Sequence, residues 1–208
     1  MKSHLVIVFT AATTALAVHG QDLPNPSFEQ PQLQPSPGFI TPGSTGYGEA
    51  APLLEWTFGF GAGVCLAGEN YAKGVTAAEG RQVAFIQGQW EEHDQARPRS
   101  IFGVDITGLQ PGQEYEIAWQ QTGRTADTGQ TAVSVILGDG QKPPLPVMTK
   151  EPVGTRGEWE SKSVWFLATA PTMRLQIRHF IPEAGNSNVG SETTLFDDFK
   201  IRAGRSAD

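Results

Sequence analysis

One stretch of the chain has residue types that suit catalysis, the acidic run Glu91-Glu92-His93-Asp94. A glycosidase needs two carboxylates held at a set distance across a pocket, and neighbours in sequence do not establish that distance. A run of charges more often forms a solvated surface. The sequence contains neither a Gly-x-Ser-x-Gly elbow nor a His-Glu-x-x-His motif. We therefore predict that the chain is not an enzyme.

The elements that must position any functional side chain are short strands. The 24 glycines and 15 prolines are spread along the chain and separate short apolar or alternating runs, a pattern typical of all-β proteins. In one run, Tyr115, Ile117 and Trp119 share a face. The pattern predicts roughly eight strands in a two-sheet antiparallel jelly-roll β-sandwich. After a short first strand, they cover residues 83–86, 100–106, 114–121, 131–137, 159–166, 173–181 and 195–201.

The start of the chain has the layout of a secretory signal peptide. Lys2 precedes an uncharged apolar run, Leu5 to Val18, and small residues follow. We expect residues 1–20 to be a signal peptide, 21–202 one β-sandwich domain and 203–208 a disordered tail. The alternative is that the apolar run stays attached as a membrane anchor. Cleavage predicts a secreted, extracellular protein without a membrane segment, in the periplasm or at the cell surface if the source is bacterial.

Charge and cysteine content restrict the classes of partner. The formal net charge is −7 and no Lys/Arg cluster is present, which argues against nucleic acid and anionic lipid as partners. The single cysteine, Cys65, cannot form an internal disulfide. Its neighbours are apolar, so we expect it to be buried as a small hydrophobic residue rather than to act as a reactive thiol.

Several short motifs, in order, resemble the secreted galactose-binding-like jelly rolls. This superfamily includes the family 4, 9 and 22 carbohydrate-binding modules and the DUF642-type cell-wall domains. The resemblance covers residues 25–201 and implies the same fold, although plant DUF642 domains carry cysteines that this chain lacks. The motifs are Asn25-Pro26-Ser27-Phe28-Glu29, Trp56, Glu79-Gly80-Arg81-Gln82-Val83-Ala84-Phe85, Gly108-Leu109-x-Pro111-Gly112-x-x-Tyr115, Gly123-Arg124, Trp165-x-x-Ala168 and Leu195-Phe196-Asp197-Asp198-Phe199-Lys200-Ile201.

The resemblance also implies a structural calcium ion. In that superfamily the first and last strands lie together, which would bring Glu29 near Asp197 and Asp198, with backbone from the Glu79-Gly80 region. Carboxylates without His or Cys companions are hard oxygen ligands that suit Ca²⁺. The alternative is that Glu29 caps a turn and both aspartates are solvated at a strand end.

Strand alternation gives a further expectation for this site. It places Asp197 on the same face as Leu195, Phe199 and Ile201, so that Asp197 points with core residues. A buried carboxylate is costly unless it is paired or bound to metal.

A sugar site needs an exposed aromatic plane beside polar side chains, because sugar rings have apolar C–H faces and a rim of hydroxyls. Trp119 and Trp165 lie in alternating strands, and we expect both in the core or at its edge. Trp90 lies in a polar stretch without apolar neighbours. The residues predicted to bind ligand are Trp90, Gln121, Arg124, Trp119 and His179.

The sequence therefore favours a secreted, non-catalytic carbohydrate-binding module that recognises a polysaccharide. One alternative is a structural or adhesive surface protein that uses the same fold to contact a protein partner. A jelly-roll polysaccharide lyase or hydrolase is the third, and it would employ His179 with Arg178 or Arg124.

Overall fold

The computed structural model describes residues 23–35, 38–41, 55–59, 61–87, 101–124, 132–139, 145–152, 156–180 and 193–204. Two antiparallel sheets face each other, which confirms the predicted jelly-roll β-sandwich. The six-stranded sheet contains, in spatial order, β1 (Phe39–Ile40), β3 (Ala62–Leu66), β4 (Gln82–Gln87), β11 (Thr193–Ala203), β6 (Glu114–Gly123) and β9 (Glu160–Leu167). The five-stranded sheet contains β2 (Thr57–Phe58), β5 (Ile101–Ile106), β10 (Met173–Phe180), β7 (Ala132–Gly138) and β8 (Leu145–Pro152).

Alternation in the sequence located most of the longer strands. On β6 the odd positions from Tyr115 to Gln121 are buried and the even ones are more exposed. Two longer strands lacked that signal. All five positions of β3 are buried, so its pattern does not alternate. β8 contains Pro146 and Pro152, which are tolerated because β8 is an edge strand.

The core between the sheets is built around a cluster of aromatic rings. Phe28 and Trp56 lie 5.0 Å apart, centroid to centroid, and Trp56 lies 5.0 Å from Phe199. Phe102 joins them from the opposite sheet, 5.6 Å from Trp56. The N-terminal segment therefore closes one side of the core, although it forms turns and is not the first strand that we expected.

A second apolar cluster lies on the outer side of the six-stranded sheet. The chain from residue 67 to residue 77, with a 3-10 helix at Asn70–Ala72, packs there, and the ring of Tyr71 stacks on Phe85 at 4.0 Å. Cys65 is fully buried in this cluster, as predicted, and burial raises the pKa of its thiol. No helical segment within the described ranges is long and apolar enough to span a bilayer.

A β-bulge interrupts β11 and corrects one expectation. The pairing of β11 with β6 shifts between Asp197 and Lys200, and Asp198 adopts a φ of 50°. Phe196 and Phe199 consequently both face the main core, whereas Leu195 packs in the outer cluster. Asp197 and Phe199 therefore do not share a face, because the extra residue reverses the alternation between them.

The expected long loop over residues 30–52 is only partly a loop. Phe39–Ile40 forms strand β1, and Leu33 is buried in the core. The side-chain amide of Gln82 donates to the carbonyl oxygens of Phe28 and Pro31, and so holds this segment against β4. Residues 36–37 and 42–54 lie outside the described residues.

Gly80 provides a test of how tightly the N-terminal segment is packed. Gly80 has a φ of +64°, and an added Cβ would overlap the Glu29 carboxylate. Gly68 has a φ of +82° with open space around it, so Gly68→Ala carries the backbone strain alone. We expect Gly80→Ala to lower the free energy of unfolding by about 1–3 kcal/mol more than Gly68→Ala does. Urea unfolding of both variants measures the difference, and equal losses would contradict the packing.

Candidate functional site

The outer face of the five-stranded sheet carries a row of polar side chains on its central strand, β10. Met173, Leu175 and Ile177 point into the core, so the alternate residues point outward. These are Arg174, Gln176 and Arg178, here called the polar row; all three are half-buried. Half-buried polar groups in the middle of a sheet face are candidates for ligand binding.

The members of the polar row differ in how fully they are paired. Arg174 donates from Nη1 to Asp105 Oδ1 over 2.9 Å and from Nη2 to the Thr57 hydroxyl. Arg178 donates from Nη2 to Gln176 Oε1 over 3.0 Å. The Nε of Arg178 is buried and finds no hydrogen-bond partner within the described part of the chain. Buried polar atoms are normally paired, so this donor marks a place where an acceptor would bind.

Glycines flank two members of the polar row, whereas the buried Ile136 of β7 lies on the other side of Gln176. Gly103 of β5 lies opposite Gln176, and Gly138 of β7 lies opposite Arg174. An added Cβ at Gly103 would overlap the Leu175 carbonyl oxygen, so glycine is required there for the close approach of the strands. The donors of the row are therefore spaced along β10 and are flanked by glycine at two positions.

The ligand residues that we predicted lie mainly inside the protein. Trp119 is only 1 % exposed, as expected for a core residue, and its ring stacks on Phe199 at 6.0 Å. Its Nε1 donates to Gln121 Oε1 over 3.2 Å, and Gln121 is buried too. These side chains therefore do not form an exposed surface in this structure. The expectation of an exposed site at Trp119 and Gln121 is corrected by their inward position on β6.

His179 and Arg124 complete the described part of the predicted set. His179 faces the interior near the end of β10, and burial lowers its pKa from 6.5 to about 4. Its Nε2 has no partner among the described residues. Arg124 follows β6, and its backbone N–H donates to the Thr193 carbonyl oxygen over 3.1 Å. Trp90 lies outside the described residues, so its part in binding stays a prediction.

The predicted carboxylates lie beside the segment that leads into β4. Glu29 Oε1 accepts the backbone N–H groups of Arg81 and Gln82 over 2.7 and 2.8 Å. Asp197 Oδ2 accepts the backbone N–H of Glu79 over 2.8 Å. The two acidic residues from opposite ends of the chain therefore bind one short stretch of backbone, as the proximity of the chain ends predicted.

The three carboxylates differ in their surroundings. Asp197 is fully buried, and this burial raises its pKa to about 7, although backbone N–H groups, including that of Glu79, act in the opposite direction. Asp198 turns outward and pairs with Lys200 over 2.6 Å. Among the described residues, no three His, Cys, Asp or Glu side chains lie close enough together to share a metal ion.

The sequence misplaced one tryptophan. Trp165 is 56 % exposed, so the expectation that it lies in the core or at its edge is wrong. On β9, Ser161, Ser163 and Trp165 occupy outward positions, whereas Val164 and Phe166 point inward. Ser161 and Ser163 occupy the same alternating positions as Trp165. Two polar residues at these positions indicate that Trp165 faces solvent.

No family model matches the sequence, and no curated protein matches it. Among solved structures, the chain is similar to TmCBM61 in complex with β-1,4-galactotriose, with 14 % identity, a TM-score of 0.50 and coverage of 89 % of this chain and 99 % of that one. It is also similar to the CBM22-1 xylan-binding domain of Paenibacillus barcinonensis Xyn10C, at 17 % identity, a TM-score of 0.48 and coverage of 73 % and 87 %. The chain has the jelly-roll fold of carbohydrate-binding modules. The predicted structural resemblance is thereby confirmed.

The buried imidazole of His179 predicts a pH dependence of stability. Between pH 6.5 and about 4 the unfolded chain binds a proton that the folded state excludes, so the free energy of unfolding falls as the pH falls. The expected loss from this group is about 3 kcal/mol. Urea unfolding from pH 7 to pH 4 measures it as the difference between the protein and its His179→Gln variant.

The comparison with the His179→Gln variant is needed because Asp197 also changes the stability in this pH range. Its raised pKa means that the folded state keeps a proton which the unfolded chain releases, so its contribution falls as the pH rises from about 4 to 7. The two groups act in opposite directions, and the wild-type curve alone would conceal both. A difference between the two proteins that does not change with pH would contradict the burial of a neutral His179.

Proposed function

We propose that this protein is a non-catalytic carbohydrate-binding module whose ligand lies across the polar row. The observation that carries the proposal is the buried Nε of Arg178, which has no partner among the described residues, beside Gln176 on the outer face of the five-stranded sheet. Sugar hydroxyls accept as well as donate hydrogen bonds. A hydroxyl at this position would pair with the guanidinium and remove the cost of its unsatisfied donor.

The shape and charge of the surface support a polysaccharide as the ligand. The donors of the polar row follow β10, and glycine flanks the row at two positions. Structures with the same fold include one with a bound galactotriose. Residues 1–20, which lie outside the described residues, are expected to direct export of the chain. Export would bring the module to extracellular polysaccharide.

The side chains in and beside the polar row suit binding better than catalysis. Hydrolysis of a glycosidic bond needs two carboxylates across the scissile bond, one of them protonated. Asp105, the carboxylate beside the row, is paired with Arg174 over 2.9 Å. It is therefore occupied as an ion-pair partner, and binding without bond cleavage is the function proposed.

Replacement of Arg178 tests the polar row. The variant Arg178→Met keeps an apolar stem of similar length but removes the donors. We expect its affinity for the bound polysaccharide to fall about tenfold or more, because a hydrogen bond from a charged group contributes about 1.5–3 kcal/mol. Affinity electrophoresis against soluble polysaccharides measures the change, and reducing ends should not be released.

Arg81→Met is the matched control. Arg81 is exposed and precedes β4 in the opposite sheet, so this variant has the same change in charge and should bind as the wild type does. Equal affinity of the Arg178→Met variant and the wild type would contradict the proposed position of the ligand. Release of reducing ends would contradict the non-catalytic proposal.

We also propose that a structural calcium ion binds beside Asp197 and the Glu29 carboxylate. Both supply hard oxygen ligands, and both contact the backbone of residues 79–82. Since these residues do not form a cluster of three acidic ligands, the ion would also require backbone carbonyl oxygens. A cation here would offset the cost of burying the Asp197 carboxylate.

Thermal unfolding with calcium and with a chelator tests this site. At about a hundred times its dissociation constant, an ion that binds only the folded state adds about 2.7 kcal/mol to the free energy of unfolding. We expect calcium to raise the midpoint temperature of the wild type and of the control Asp105→Asn, but not of Asp197→Asn. The same midpoint for the wild type in calcium and in chelator would contradict the proposal.

A further inference from the structure

The outer face of the six-stranded sheet carries an exposed indole that lies beside Gly204. Trp165 of β9 lies opposite Glu116 of β6, and its Cζ3 lies 3.1 Å from the position of a Cβ built on Gly204. Gly204 is held beside β6 by its N–H, which donates to the Glu114 carbonyl oxygen over 2.7 Å. The indole therefore reaches across β6, while 56 % of the residue stays exposed.

A groove of about 270 Å³ lies next to Trp165 on the same sheet face, since its lining includes Glu116, which lies opposite Trp165, and Ser163, one outward position away. Small side chains form its floor, because Ala118 of β6 lies opposite Ser163 of β9 and Ser161 lies one outward position further along. Long polar side chains line it on the other side, among them Lys200 and Arg202 of β11. The groove is thus a polar channel that has the exposed indole next to its end at Glu116 and Ser163.

The hydrogen-bonding groups of the groove combine donors and acceptors. Gln120 Nε2 donates to the Ser161 hydroxyl over 2.9 Å, and Glu116, which lies opposite Trp165 in the register, lines the groove as an acceptor. The cation of Lys200 is paired with Asp198 over 2.6 Å. Two acidic residues, Glu116 and Asp198, and three basic ones, Lys162, Lys200 and Arg202, line the groove. Neutral sugar hydroxyls can use both the donors and the acceptors of such a mixed lining.

We propose that Trp165 and this groove form a second carbohydrate site, which takes a segment of neutral polysaccharide with one sugar ring stacked on the indole. The inference rests on the proposed function, since it extends sugar binding to the opposite face of the protein. The two sheets of a sandwich present their outer faces in opposite directions. The module therefore contacts two polysaccharide chains at once, one on each sheet.

The test uses an array of polysaccharides that includes xylan, β-1,4-galactan and two acidic members, polygalacturonan and heparin. The wild type is compared with Trp165→Ala and with Leu167→Ala. Leu167 is the matched control, because it occupies the next outward position on β9 and is 55 % exposed. We expect Trp165→Ala to lose affinity for a neutral polysaccharide on the order of tenfold, and Leu167→Ala to keep it.

Cross-linking provides the second measurement. We expect the wild type to make suspensions of the bound neutral polysaccharide turbid, and both Trp165→Ala and Arg178→Met to bind without causing turbidity. If Arg178→Met removes all binding and Trp165→Ala binds as the wild type does, the second site is overturned while the proposed function stands. If the wild type binds nothing on the array, both are overturned.

Self-association is measured in parallel by analytical ultracentrifugation. Concentration-dependent dimers of the wild type that Trp165→Ala abolishes would identify the surface as a contact between copies of this chain, and so overturn the second site. A tighter interaction with polygalacturonan or heparin than with every neutral polysaccharide would overturn the assignment to neutral sugars.

Discussion

The contact on which the arrangement depends is the binding of two carboxylates to one short backbone segment. Glu29 and Asp197 accept N–H groups from residues 79–82, just where the chain enters β4. Carboxylates that accept backbone N–H groups form stronger hydrogen bonds than neutral acceptors do. Because the acceptors come from opposite ends of the chain, this contact closes the side of the aromatic core that the sheets alone leave open.

Closure at this point determines which outer surfaces stay free. The segment that follows β3 covers one half of the outer face of the six-stranded sheet, with Tyr71 stacked on Phe85. The other half, over β6, β9 and β11, is open and carries Trp165. On the outer face of the five-stranded sheet, Arg178 lies half-buried on β10. Both candidate sugar surfaces are therefore parts of the sandwich that no described segment covers.

The prediction of the candidate site was less complete than that of the fold. Alternation in β6 correctly placed Trp119 in the core, and the same rule applied to β9 would have placed Trp165 outside. The importance of Arg178 was not visible in sequence, because an unpaired donor is defined by what surrounds it in three dimensions. The bulge in β11 was not predicted, and it moves Phe199 and Ile201 off the face that Asp197 was expected to share with them.

The sequence by itself determined the class of fold and the positions of seven longer strands, because alternation and turn residues act over a few neighbouring positions. The meeting of Glu29 and Asp197 was expected only from the family resemblance. Only the tertiary structure decided which outer faces stay open and which polar atoms are left without partners. Those properties arise between strands that are distant in sequence: β9 meets β6, and Gly204 makes room for the indole of Trp165. A local pattern cannot specify them, since they depend on register and on what packs above each sheet.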